Sequence, residues 1–335
     1  MNTKRWIWIG TTVLALAGCG GAGDSDDGDD YASAIPDSEL LALAFDDPAV
    51  AQGALTSEDG PLLGEPSQFK EHAKKLMDGL NKLGQGIHDG VAFVKENSVP
   101  IVVTKGALTC KVWEADGAKA HWQLLSCLVD KKVKKFTFLL RGRPLGSTAE
   151  KDYLPVFAGD GIALPKFEGH RRGFGWAGFQ FDHYATLTGE KVSGKMGIAY
   201  RGAGKARQLV IGLNKVQGPN MTEPVAGIYR FVHVLGLGGR FSFVGPGDFV
   251  APDAEGKIRP GKDGTMEMGR AVLAWKKAVG ARTVLEACGG SVGQGKCVRL
   301  VQCWKPDDSV AFEDVAGNGG IAWDKVQCPD RKSVV

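Results

Sequence analysis

The sequence is poor in histidine, a residue type that often carries catalytic and metal-binding chemistry. Only 6 of its 335 residues are histidine, and none follows His233. Its cysteines never form a C-x2-C pair, the spacing typical of structural zinc sites. After one short apolar segment near its start, it has no run of the ~20 apolar residues that a transmembrane helix needs. These absences argue against a cysteine-ligated metal site and a helical membrane protein, and we expect no cofactor.

The first nineteen residues have the layout of an export signal. Two basic residues precede the apolar run 6–17, which has the length of a signal-peptide core and is too short to cross a bilayer. The string Leu16-Ala17-Gly18-Cys19 then resembles the lipobox of bacterial lipoproteins. The resemblance implies removal of signal peptide 1–18 and acylation of Cys19. The alternative is an ordinary secretory signal with a chance cysteine.

Acylation of Cys19 implies a membrane anchor. A single acyl chain binds a bilayer only marginally, and each buried methylene adds about 0.8 kcal/mol, so the three chains that the resemblance implies make a lasting anchor. Gly20, rather than Asp, follows the cysteine, which by resemblance favours the outer membrane. We therefore expect a cell-envelope protein whose first partner is the lipid membrane, reached through Cys19.

The segment 19–36 is low in apolar residues and rich in Gly and Asp, which predicts an acidic disordered tether. Five aspartates lie between Asp24 and Asp30, whereas the net charge of the whole chain is +3. The remainder is therefore mildly basic, which could favour anionic surfaces such as phospholipid or cell-wall polymer. An ordinary solvated surface is the alternative. The lipid anchor argues against nucleic acid as a partner.

Apolar residues recur at steps of three and four from Ser67 to Asn97 and predict one amphipathic helix. Its predicted apolar stripe is Phe69, Ala73, Leu76, Leu80, Leu83, Ile87, Val91 and Val94. Glycines cluster in the second half of this helix, and each weakens it by up to about 1 kcal/mol relative to Ala. We therefore expect a break near residues 84–86.

From about residue 101 the periodicity changes to two, which is typical of β-strands. The later strand-like runs are 174–187, 225–235, 239–244, 266–276, 281–288 and 296–304. Short turns separate them, and short turns require antiparallel pairing. The predicted fold is mainly β: an antiparallel curled sheet or barrel of about eight to twelve strands, with the 67–97 helix packed on it. The predicted parts are signal peptide 1–18, tether 19–36, helical segment 37–100 and β domain 101–335.

Six cysteines remain if Cys19 is acylated, and an even number in an exported protein indicates three disulfides. If 106–115 and 119–130 form a hairpin, Cys110 faces Cys127. A hairpin around 290–295 likewise places Cys288 opposite Cys297, which leaves Cys303 with Cys328. The alternative pairs Cys288 with Cys303 or Cys328.

Three segments between about 170 and 310 resemble a group of uncharacterised bacterial lipoproteins. They are the run GFGWAGFQFDHYATL, the hairpin VSGKMGIAY and the string Cys297–Trp304. The resemblance implies a similar β fold and carries no known activity.

Ser291 lies in a match to G-x-S-x-G, the nucleophile elbow of serine hydrolases. That motif works at a turn from a strand into a helix, and in α/β-hydrolases the catalytic His follows the Ser. Here strand-like residues lie on both sides, and no His follows. The overlapping string 290–296 resembles a phosphate-binding loop, but Cys297 stands where that loop has Ser or Thr. We interpret the segment as a hairpin loop.

Asp182 and His183 are adjacent and could form an acid–base pair, but neighbours on a strand point to opposite faces. Six tryptophans could line a ligand cavity or fill the core: Trp113, Trp122, Trp176, Trp275, Trp304 and Trp323. The sequence thus predicts a non-enzymatic, membrane-anchored lipoprotein with a binding or structural role. It does not identify the ligand, and a small molecule and an envelope protein are the alternatives. The alternative is an exported hydrolase that uses Ser291 or the Asp182/His183 region.

Overall fold

The fold is described from a computed structural model. It describes residues 31, 35–36, 38–41, 43 and 68–316, except for 107, 169, 220, 222, 261–262, 277–278 and 306–308. Cys19, most of the predicted tether, and Cys328 lie outside the described residues. Acylation of Cys19 and the pairing of Cys303 with Cys328 therefore stay predictions.

Most of the described chain forms one antiparallel sheet of 14 strands. The strands are β1 Ile101–Lys105, β2 Leu108–Asp116, β3 Ala120–Asp130, β4 Lys135–Pro144, β5 Leu154–Phe167, β6 His170–Gln180, β7 Ser193–Ala203, β8 Ala206–Gln217, β9 Val225–Val234, β10 Gly238–Gly247, β11 Val250–Pro252, β12 Ile258–Pro260, β13 Glu267–Lys276, β14 Gly280–Cys288, β15 Cys297–Trp304 and β16 Val310–Ala316. Strands β11 and β12 form a separate two-stranded hairpin inserted between β10 and β13.

The sheet is an open meander, with spatial neighbours that are also neighbours in sequence. Its order runs from β1 to β10 and then β13 to β16. Short turns enforce this order, since two strands joined by a few residues can pair only antiparallel. The predicted antiparallel β class is confirmed. Of the two predicted alternatives, the barrel is wrong, because among the described strands β1 and β16 are the sheet's two edges and do not pair with each other. The predicted number of about eight to twelve strands is also wrong, since the described sheet has 14.

Cross-strand register divides the sheet into an inward and an outward face. Partners in register place their side chains on the same face. One inward row crosses five adjacent strands through buried side chains, namely Tyr200, Leu209, Phe231, Phe241 and Leu273. The intervening residues of the same strands form the outward face. The core therefore lies on the inward side of the sheet.

The long helix α2 (Gln68–Glu96) lies against β2 and β3, and the short helix α1 (Ser38–Leu41) packs on it. The predicted break near 84–86 is wrong, because α2 is continuous there. Gly84 is buried, and its position for a Cβ lies 3.7 Å from Leu41 Cβ. Asn81 exchanges two hydrogen bonds with the backbone of Leu43, at 2.8 and 2.7 Å. This tertiary packing offsets the low helix propensity of glycine.

A third helix, α3 (Phe181–Thr188), replaces the end of a predicted strand. The prediction of strand over 174–187 is wrong after Gln180, where β6 ends. Phe181 and Leu187 of this helix are buried. Gly189 ends the helix in the left-handed conformation (φ 74°), which glycine adopts at little cost. No helix in the described parts of the chain is both long and apolar enough to span a membrane.

Candidate functional site

Ser291 lies in a one-turn 3-10 helix, Gly290–Val292, at the loop between β14 and β15. Its Oγ donates a hydrogen bond to Asp263 Oδ2 at 2.6 Å. This bond is the largest cause of the lowered pKa of Asp263, and the Thr265 N–H adds to the effect. Within the described chain, the hydroxyl is thus bonded to a carboxylate and not to a histidine. Strand β15, rather than a helix, follows the loop, as the hairpin prediction requires.

Glu267 is the buried carboxylate beneath this loop, and sequence reasoning missed it. Only 1% of its surface is exposed. Its Oε2 accepts the Phe249 N–H at 2.9 Å, and its Oε1 accepts the Ser291 N–H at 3.1 Å. The carboxylate therefore fastens two loops to the start of β13. The only signal in the sequence was that Glu267 occupies one of the alternate positions of β13 that face the core. An acid at such a position needs buried hydrogen-bond partners.

Asp182 and His183 do not form an acid–base pair. They lie in the first turn of α3 rather than on a strand. Asp182 Oδ1 accepts the Gly194 N–H at 3.0 Å. His183 Nδ1 lies 2.7 Å from the Pro155 carbonyl oxygen, so that nitrogen carries the proton and donates. Each side chain therefore fixes a different neighbouring segment to the helix.

His121 is flanked by carboxylates at the turn of the β2–β3 hairpin. Its Nδ1 lies 2.6 Å from Asp116 Oδ1, and its Nε2 lies 3.9 Å from Glu114 Oε2. The arrangement joins the two strands where they turn. Across the described residues, no group of three or more His, Cys, Asp or Glu side chains is placed to hold a metal ion.

Arg141 is the centre of a polar network that also escaped sequence reasoning. Its Nε donates to Gln123 Oε1 at 2.7 Å, and its Nη1 donates to Glu150 Oε1 at 2.5 Å. The guanidinium lies 4.1 Å from the centre of the Tyr153 ring. Burial raises the pKa of Tyr153, and the positive charge of Arg143 opposes the rise. The network holds the segment between β4 and β5 against the sheet.

Two of the predicted disulfides form where strand register places them. Cys110 and Cys127 are partners across β2 and β3, and Cys288 and Cys297 are partners across β14 and β15. Cys303 is also disulfide-bonded. The alternative pairing of Cys288 with Cys303 or Cys328 is therefore wrong.

The tryptophans are divided between the core and the surface. Trp113, Trp122 and Trp304 are buried, and the half-buried Trp275 packs beside Phe231. Trp176 instead lies on the outward face, 39% exposed, where its Nε1 donates to Asp160 Oδ2 at 3.1 Å. Trp323 lies outside the described residues.

The outward face of six adjacent strands, β6 to β10 and β13, combines basic side chains with exposed apolar ones. We call it the basic sheet face. Three rows of register partners run across it. They are Phe174–Arg201–Gln208–Val232–Arg240–Ala274, Trp176–Ala199–Val210–Arg230–Ser242–Val272 and Gly178–Gly197–Gly212–Ile228–Val244–Arg270.

Charge on the basic sheet face has one sign. At the outward positions of these six described strands the charged residues are all basic: Arg172, Lys195, Arg201, Arg230, Arg240, Arg270 and Lys276. No Asp or Glu stands at an outward position of the same strands. The nearest acids flank the face, with Asp160 on β5 paired in register with Trp176, and Glu286 on β14 paired with Arg270.

Large apolar side chains stand exposed between these basic residues. They are Phe174, Trp176, Ile228, Val232, Val244 and Met268, of which Met268 is 55% exposed. Single exposed apolar residues are ordinary, but a group on one face marks an interaction surface. The sequence showed the alternation within each strand but not which residues share a face, because the register across six strands cannot be deduced from one strand at a time.

The chain matches no protein-family model, no curated protein and no solved structure.

Proposed function

We propose that this protein is a lipoprotein of the cell envelope that is anchored through acylated Cys19 and acts by binding rather than by catalysis. The observation that carries the binding role is the basic sheet face, with cationic and exposed apolar side chains and no acid among its described positions. A face of one charge sign attracts partners of the opposite sign and speeds their encounter.

Two further observations support export and anchoring. The Leu16-Ala17-Gly18-Cys19 string resembles a lipobox, and outer-membrane placement follows from Gly20 by the same resemblance. The disulfides Cys110–Cys127 and Cys288–Cys297 belong to the chemistry of oxidising compartments, because the cytosol keeps thiols reduced.

Metabolic labelling with palmitate tests the anchor. We expect the wild-type chain to incorporate label and to fractionate with membranes, and the Cys19→Ala chain to lose both properties. Gly20→Asp is the matched control, since it leaves the acylated cysteine in place and should keep the label while moving the protein to the inner membrane. Label in the Cys19→Ala chain, or its absence from the wild type, would contradict the proposal.

A further inference from the structure

We infer that the basic sheet face docks on the anionic phospholipid headgroups of the membrane that holds the anchor. The inference rests on the proposed anchoring and names the partner of the binding face. The domain then lies with its sheet against the bilayer instead of projecting from it.

Charge complementarity is the first argument. The face presents Arg201 on β7, Arg230 on β9, Arg240 on β10 and Arg270 on β13. Strands lie about 4.8 Å apart, so six strands span roughly 25 Å and contact many headgroups at once. Each basic side chain close to an anionic leaflet strengthens binding by about fivefold. The described carboxylates closest in register lie at the two sides of the face, with Asp160 paired with Trp176 and Glu286 paired with Arg270, and none lies between Arg201, Arg230 and Arg240.

The exposed apolar side chains favour a bilayer over a soluble polyanion, because four of the six, namely Ile228, Val232, Val244 and Met268, are not aromatic. Ile228 and Val244 are partners in register, and Arg230 separates Ile228 from Val232 along β9. Aliphatic side chains offer no stacking surface for nucleic-acid bases. Burial of these side chains at the boundary between headgroups and acyl chains is favourable, and the arginines beside them can reach the phosphates. Trp176 is of the residue type that accumulates at that boundary.

The predicted tether is short enough to keep the domain near the membrane. Tyr31 is fixed to the domain, since its carbonyl accepts the Ser126 hydroxyl at 2.7 Å and its ring lies 5.2 Å from that of Phe136. Only the residues between Cys19 and Tyr31 separate anchor from domain. A flexible chain of about twelve residues spans roughly 20 Å. Docking is therefore intramolecular, at high effective concentration.

The test uses the purified lipidated protein inserted through its own anchor into vesicles. One set contains phosphatidylglycerol with acyl chains brominated near the headgroup, and the other contains equally brominated phosphatidylcholine alone. Bromine quenches tryptophan that reaches the boundary region. We expect quenching on phosphatidylglycerol, loss of it in Trp176→Phe, and no loss when the buried Trp113 is changed to Phe.

Charge variants complete the test. Arg201→Gln/Arg230→Gln/Arg240→Gln should weaken docking by about a hundredfold, because three basic contacts are lost. The matched control Lys131→Gln/Lys132→Gln/Lys151→Gln removes the same charge from exposed positions elsewhere and should keep the quenching within about threefold of wild type.

Several outcomes overturn the inference. They are equal quenching on both lipids, equal effects of the two triple variants, and quenching that appears only after the five aspartates of 24–30 are changed to Asn. If the basic sheet face binds a DNA duplex and shows no quenching on phosphatidylglycerol, its partner is nucleic acid instead. Failure of the anchor is a separate result, since the protein then never enters the vesicles.

Discussion

Ser291 donates its hydroxyl hydrogen to Asp263 across 28 positions of sequence, at an Oγ–Oδ2 distance of 2.6 Å. The bond stabilises the ionised carboxylate, and the pKa of Asp263 is lowered as a result. A depressed folded-state pKa adds stability above the unfolded-state value and loses it as the pH falls through the folded-state value. The contact between Ser291 and Asp263 therefore stabilises the loop less at acidic pH, where the carboxylate is protonated.

The first prediction follows from that bond. Ser291→Ala should raise the pKa of Asp263 toward the ordinary range, because the hydroxyl is its strongest stabilising partner. NMR titration of the Asp263 carboxyl carbon measures the change, with Ser242→Ala on the outward face as the control. An unchanged titration curve for Asp263 in the Ser291→Ala chain would show that the bond does not form in solution.

The second prediction concerns the buried carboxylate of Glu267. Glu267→Ala leaves the N–H groups of Phe249 and Ser291 without acceptors, and we expect a loss of about 2–6 kcal/mol in the free energy of unfolding. Glu267→Gln keeps one acceptor oxygen and should lose less. The exposed Glu255→Ala is the control and should change stability by less than about 0.5 kcal/mol. Denaturant unfolding measures these losses. If Glu267→Ala and Glu255→Ala had the same free energy of unfolding, the role of Glu267 would be refuted.

The third prediction uses two glycines of the sheet. A Cβ on Gly159 would lie 2.1 Å from the Trp176 carbonyl oxygen and 2.8 Å from Phe138 Cζ. Gly159→Ala should therefore destabilise the domain by about 1–3 kcal/mol or more. A Cβ on Gly212 meets no atom within 4 Å, so Gly212→Ala should be neutral or stabilising by up to about 1 kcal/mol. Thermal unfolding measures the melting temperature of both variants. Equal melting temperatures would contradict the close packing of Gly159 against Trp176 and Phe138.

The fourth prediction concerns the two hairpin disulfides. Cys110 and Cys127 are 17 positions apart, and Cys288 and Cys297 are 9 apart. Replacing the first pair with Ser should cost about 3 kcal/mol of stability and replacing the second about 2.5 kcal/mol, since the longer loop loses more entropy when closed. Unfolding of each double variant measures the loss. A cost near zero for both would mean that the hairpins are already closed in the unfolded chain.

Local sequence patterns predicted those parts of the fold that depend on neighbouring residues. Cys110 and Cys127 could be paired because a tight turn fixes hairpin register. Phe181 was misassigned because it continues the two-residue spacing of the buried Ala177 and Phe179, as the next residue of a strand would. Glu267 was missed because its partners, Phe249 and Ser291, are distant in sequence. The basic sheet face was missed for the same reason, because each of its three rows is made of residues from six strands that are distant in sequence.

The barrel prediction failed for a related reason. Alternation reports how each strand uses its two faces, but closure depends on whether the first strand can reach the last. In the described chain β1 has 5 residues and pairs only with β2. A short strand of this kind is one way in which proteins limit the exposed edge of a sheet.

The sequential strand order has a consequence for biogenesis. Each strand of the sheet needs only its predecessor as a template, apart from the step over the β11–β12 insertion between β10 and β13. A chain threaded from its amino end through a translocation channel can thus add hairpins one by one as they emerge, without waiting for distant segments. Low sequence separation between contacting strands also favours rapid folding. Under the proposed export, the order in which residues leave the channel would match the order of the strands in the sheet.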